Sequence, residues 1–161
     1  MLNIRKFTQN RERTEKVFNF AADGRLSGLV TDKVTVHLDL EGDMDEKARA
    51  HLIGSAEAEM KAICQVCMQE IQWQHHFSFT VYPVTEEELE TLDEALEPVV
   101  YEQDKLDLDD MLINELILSL PTVISHESTI GEDCSQNLNM SAGEPIKKKA
   151  SPFDVLKQLK S

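Results

Sequence analysis

The sequence predicts an α+β domain: a twisted antiparallel β-sheet with a long hairpin, about residues 50–82, one buried apolar helix, about residues 107–120, and a flexible C-terminal tail. Strict apolar–polar alternation over three stretches predicts the sheet. A run of leucines and isoleucines at helical spacing, stopped by Pro121, predicts the helix. A long polar stretch before the last ten residues predicts the tail.

Taken in order, residues 34–41 place Val34, Val36, Leu38 and Leu40 on one face and Thr35, His37, Asp39 and Glu41 on the other, and the acidic turn Glu41-Gly42-Asp43 follows. Residues 50–63 alternate again, with Ala50, Leu52, Gly54, Ala56, Ala58 and Met60 on the inner face. A third strand, about 70–82, carries Trp73, His75, Phe77, Phe79 and Val81. Small residues facing large ones, joined through the short Cys64–Gln69 segment, predict adjacent antiparallel strands. Thr85 before Glu86-Glu87-Glu88 reads as the N-cap of a short acidic helix. Asp107 caps the apolar helix, whose Leu108, Met111, Leu112, Ile113, Leu116, Ile117 and Leu118 require cover on more than one side, from the N-terminal segment or from a partner. Residues 125–150 are polar and are expected to lack regular structure. Ser151-Pro152 then opens a short helical pattern with Phe153, Leu156 and Leu159 on one side. The expected organisation is a single domain over 1–124, including a basic segment 1–20, a flexible polar linker over 125–150 and a short amphipathic motif over 151–161.

Composition narrows the function. Sixteen basic residues against 30 acidic ones give a net charge of −14 over 161 residues, which opposes broad coating of a phosphate backbone. The charge is uneven. Residues 1–20 hold five basic and two acidic residues, residues 84–116 hold thirteen acids and one lysine, and residues 145–161 hold five lysines and one acid. An acidic middle between basic ends implies a protein-binding surface or self-shielding of the ends. No stretch approaches about 18 apolar residues, and the N-terminus has no secretory pattern, so a cytoplasmic protein without a membrane partner is expected. Three cysteines, two of them in one Cys-x-x-Cys, exclude a disulfide scaffold.

The strongest chemical signal is Cys64-Gln65-Val66-Cys67 at the hairpin end. Two thiolates on a tight turn suit tetrahedral zinc, for which His126 and Cys134 are the distant candidate ligands and His75 and His76 the nearer ones. A redox dithiol would instead open a helix after a strand, and a cysteine pair kept without metal also fits the turn. His75 and His76 point to opposite faces of a strand, and His75 reads as a core histidine beside Trp73 and Phe77. Phosphate-binding, nucleotide-binding, serine-hydrolase and metalloprotease motifs are absent from the sequence. Enzymatic function is not expected. The expectation is a protein without a resident cofactor, zinc on Cys64, Cys67, His126 and Cys134 being the one candidate.

These residues resemble a family. Cys64-x-x-Cys67, Glu97-Pro98, the run Asp107-Leu108 to Glu115-Leu116-Ile117-Leu118-Ser119-Leu120-Pro121, His126, and the terminal Pro152-Phe153-Asp154-Val155-Leu156-Lys157-Gln158-Leu159-Lys160 are similar to the YceD family, the bacterial large ribosomal RNA subunit accumulation proteins. The resemblance implies a cytosolic, non-enzymatic factor supporting synthesis, processing or stability of 23S ribosomal RNA. Many members resemble zinc proteins with a second Cys-x-x-Cys after the apolar helix; here that region reads His126 to Cys134. The expected partner is a ribosomal protein or an RNA-processing factor of the large-subunit pathway, with RNA met indirectly or through the basic ends. The partner-binding residues expected in the tail are Phe153, Leu156 and Leu159, with Lys147, Lys148 and Lys149 favouring an anionic neighbour: RNA, or the chain's own acidic surface at 84–110. The alternative is a small zinc- or thiol-dependent enzyme, or a redox protein, centred on Cys64 and Cys67.

Overall fold

The computed structural model describes residues 1–134, so the candidate tail residues Lys147, Lys148, Lys149, Phe153, Leu156 and Leu159 lie outside the described residues. In order the elements are β1 (Leu2–Asn3), α1 (Ile4–Gln9), β2 (Arg13–Phe20), a 3-10 turn (Gly24–Leu26), β3 (Val34–Met44), β4 (Ala50–Ile63), β5 (Glu70–Val84), α2 (Glu86–Leu89), β6 (Pro98–Val100), β7 (Lys105–Leu106), α3 (Leu108–Ser119) and α4 (His126–Ile130). Among the described residues, a five-stranded sheet runs β2-β3-β4-β5-β6, and β1 pairs with β7.

The register explains the alternation. Val36, Ala58 and His75 lie side by side across β3, β4 and β5, as do Leu38, Ala56 and Phe77, and Leu40, Gly54 and Phe79. The aromatic rings of β5 fill the space left by the small residues of β4. At Gly54 a Cβ would sit 2.2 Å from the Phe79 ring, so the strand needs glycine there. This inner face is buried against α1, α3 and the connections between them, with Ile4, Phe7, Leu26, Leu106, Leu112 and Leu116 in one core.

Several expectations are corrected. The β3 strand runs on through Glu41-Gly42-Asp43 to Met44, and the turn falls at Asp45–Arg49, where the Asp45 carboxylate accepts the Lys47 and Arg49 N–H groups. Gly42 stays in the strand because Phe7 of α1 packs over it: a Cβ would lie 2.6 Å from the ring. The sheet is not wholly antiparallel. After Val84 the chain enters α2, capped by Thr85 with Glu88 reaching back, and returns at Pro98 parallel to β5. α3 buries Met111, Leu112 and Leu116 but leaves Leu118 at 73% exposure, so its outer side is uncovered among the described residues. Residues 126–130 form α4 rather than irregular chain, because Ser125 and Ser128 cap each other and Gly131 ends the helix at φ 72°. Ser125 and Cys134 are buried, which ties this stretch to the core.

The N-terminal helix α1 covers the β3–β4 part of the sheet rather than the outer side of α3. Asn3 caps α1 by accepting the Lys6 N–H, and Ile4, Phe7 and Thr8 turn inward. β2 then becomes the edge strand beside β3.

Candidate metal centre

The β4–β5 hairpin ends in a tight turn built by backbone bonds. The Cys64 N–H donates to the Gln69 carbonyl at 2.8 Å, and the Met68 N–H donates to the Cys64 carbonyl at 2.8 Å, with Met68 at φ 61°. The turn folds back so that the Cys67 N–H points at the Cys64 sulfur, 3.4 Å away. The segment after α3 is stitched to it, since the Gln65 N–H donates to the Ile124 carbonyl at 2.8 Å. Ser125 then starts α4, which places His126 in its first turn. After the left-handed turn at Gly131, Cys134 comes back to the hairpin.

Four side chains thereby converge. Cys64 Sγ lies 3.6 Å from Cys134 Sγ, and Cys67 Sγ lies 3.5 Å from His126 Nδ1. All four ligand atoms lie within 4.8 Å of one another. A tetrahedron with zinc–sulfur bonds of about 2.3 Å and a zinc–nitrogen bond of about 2.0 Å has edges of roughly 3.5–3.8 Å. The two short separations match it. A set of three cysteines and one histidine is among the donor sets of structural zinc sites, and four protein ligands leave no position for a substrate.

The electrostatics fit the same use. Burial pushes the Cys64 thiol up, but the N–H groups of Cys67 and Val66, with His126, outweigh it and bring the thiol down to about 5. Burial, then the neighbouring Cys64 and Cys67 sulfurs, raises Cys134 to about 11. One charged and one proton-holding sulfur in contact is a site short of positive charge, and a bound cation deprotonates a coordinating thiol outright. Cys64 and Cys134 are buried, and Cys67 and His126 are half-buried.

The nearer histidines stay away from the cluster. His75 bonds the Ser119 hydroxyl at 2.9 Å and packs between Trp73 and Phe77, as a core histidine does. His76 is on the other face, 3.8 Å from Glu57. Nothing in the sequence pattern sets a register for His126 or Cys134 beyond their being available donors; the α4 caps that set their spacing lie in a run of serine and threonine that resembles linker.

The basic N-terminal segment is largely neutralised by the chain itself. Arg5 pairs with Asp104 at 3.7 Å, Arg11 with Asp43 at 2.9 Å, and Arg13 with Asp39. Among the described residues no helix is long and apolar enough to cross a membrane.

No solved structure matches the chain. A profile of the family described as large ribosomal RNA subunit accumulation protein YceD matches residues 52–160, from near the start of β4 through the candidate metal-centre residues and beyond the described residues. The chain belongs to the YceD family.

Proposed function

We propose that this chain is a non-enzymatic factor of large ribosomal subunit biogenesis that supports the accumulation of 23S ribosomal RNA in the cytoplasm, and that zinc held by Cys64, Cys67, His126 and Cys134 closes its fold. The family match supports the pathway. The observation that carries the non-enzymatic reading is the closed four-donor cluster: a catalytic metal keeps an open position, and this set fills all four. The zinc supplies structure, pinning α4 and the chain after it to the hairpin.

The enzyme alternative rests on the low pKa of Cys64. A reactive thiolate must also be reached by its substrate. Cys64 is fully buried, and its sulfur already faces Cys134 and the Cys67 N–H.

The charge distribution supports a protein partner over direct RNA binding. The described residues hold 11 basic and 28 acidic side chains, a net of −17. The surface at 86–97 is dominated by exposed acids, which suits a basic ribosomal protein or a basic face of a processing factor. Capture of the tagged full-length chain from cells, with and without ribonuclease, tests the reading. Large-subunit proteins should be retained after ribonuclease treatment, and cells lacking the chain should hold less 23S RNA relative to 16S. Unchanged 23S levels, or a capture profile without large-subunit components, overturns it.

A further inference from the structure

β6 is the edge strand of the sheet opposite β2, and α3 runs beside it. Between them lies a groove of about 310 Å³. Its floor and walls are Pro98, Val99, Met111, Ile117 and Leu118. Leu118, at one end of this apolar strip, stands 73% exposed. Glu97 and Glu115 stand at the rim. Burial, and then Glu97, holds the Glu115 carboxyl above its ordinary range. The groove thus offers an apolar strip bordered by two carboxylates that repel each other, and its complement is an apolar side chain series carrying lysines.

The chain contains such a segment. In residues 151–160, Phe153, Leu156 and Leu159 recur every three residues, and Lys157 and Lys160 lie beside them. Residues 145–161 carry five lysines against Asp154 alone. We infer that the groove between β6 and α3 is the docking site of this chain's own residues 151–160, with Phe153, Leu156 and Leu159 on the apolar strip and Lys157 and Lys160 toward Glu97 and Glu115.

Reach supports the chain's own tail as occupant. Cys134, the last described residue, is fixed at the hairpin end by its contact with Cys64. The near end of the groove is Leu118, next to Ser119, whose hydroxyl bonds His75. His75 stands five residues along β5 from Glu70, roughly 17 Å. The 16 residues from 135 to 150 span at most about 58 Å when extended, and about 20–24 Å as a root-mean-square distance for a flexible chain. The β6 wall of the groove, Pro98 and Val99 beside Tyr82 and Pro83, lies roughly 40–43 Å along β5 from Glu70; the extended segment spans both ends, and an intramolecular ligand so placed meets the groove at a raised effective concentration.

Docking of the tail does not depend on the biogenesis reading and is tested on the full-length purified chain. A photoreactive phenylalanine analogue at position 153 is irradiated at low salt, and the products are sized and mapped by mass spectrometry. Crosslinks should form within one chain and map to 97–99 and 111–118. Glu97→Lys with Glu115→Lys should reduce their yield by about threefold or more, the scale of two rim ion pairs, and 0.5 M salt should do the same. A Leu156→Asp change should move the Leu118 and Val99 methyl resonances. Crosslinks to a second chain, crosslinks to other surfaces, or unmoved Leu118 and Val99 methyls would each overturn the assignment.

Discussion

Cys64 combines complete burial with a sulfur that accepts a backbone N–H and touches a second cysteine. Such a group is costly without a counter-ion, and the cation that relieves it becomes part of the folding energy. The purified chain should therefore carry one zinc, and Cys64→Ser with Cys67→Ser should abolish it. The same double variant should lower the melting temperature by more than about 10 °C, because several kcal/mol of metal binding are lost. Elemental analysis beside a thermal melt checks both, and a metal-free chain whose melting is untouched by the substitutions contradicts the zinc reading. His75 makes a second prediction at this scale. Burial holds its pKa below the ordinary value, while Ser119 opposes that shift. With the folded pKa depressed, the unfolded chain binds the proton more readily, so this contribution is present above about pH 6.5 and is lost as the pH falls below it. Acidification would also release a zinc held by Cys64, Cys67, His126 and Cys134. The His75 part is thus the difference between two chains: between pH 7.5 and 5.5, His75→Phe should lose less stability than the parent. Equal losses would mean that His75 stays neutral, or charges, alike in both states.

At the scale of the elements, α3 separates two kinds of leucine. Leu112 and Leu116 are fully buried, whereas Leu118, two residues further on, is open. Leu116→Ala should cost about 2–5 kcal/mol, and Leu116→Asp should unfold the domain. Leu118→Ala should change stability by less than about 0.5 kcal/mol. Urea melts of the two alanine variants decide this, and equal losses would place Leu118 in the core. The strands β3, β4 and β5 were legible in the sequence because each buries one face and exposes the other, so period two survives along their whole length. β2 was not legible. Its inward positions Thr14, Lys16, Phe18 and Phe20 begin with polar residues at the open edge, and Arg13, Glu15 and Val17 on the other face do not contrast with them. β6 was hidden for another reason: three residues carry no periodicity, and its parallel pairing is fixed by the path of the chain through α2. The metal-centre residues could be named from their chemistry. Their convergence could not, because it depends on the caps of α4 and on the single bond from Gln65 to the Ile124 carbonyl.

For the whole molecule, charge decides which partners the surface admits. The N-terminal arginines spend their charge on Asp39, Asp43 and Asp104, and a docked tail spends two of its lysines on the groove. What remains outward is the acidic band of α2 and the loop after it, where Glu86, Glu87 and Glu90 are exposed. Glu88 differs from them, since its carboxylate accepts the Thr85 N–H and closes the helix cap. A band of this kind attracts a basic protein over a Debye length of about 8 Å at physiological salt and repels RNA over the same range. The combined change Glu86→Gln, Glu87→Gln and Glu90→Gln spares the cap and the core, so the melting temperature should stay within a degree or two. Recovery of large-subunit proteins with the tagged chain should nevertheless fall severalfold, and the parent's recovery should fall likewise when salt is raised from 0.1 to 0.5 M. Direct binding of the parent chain to purified 23S RNA should be undetectable at physiological salt, since a chain of net −14 whose N-terminal arginines face its own acids has too few free cations to release counter-ions from the backbone. Undiminished recovery by the neutralised variant would remove the acidic band from the interface and leave the outer sheet face or the tail as the contact.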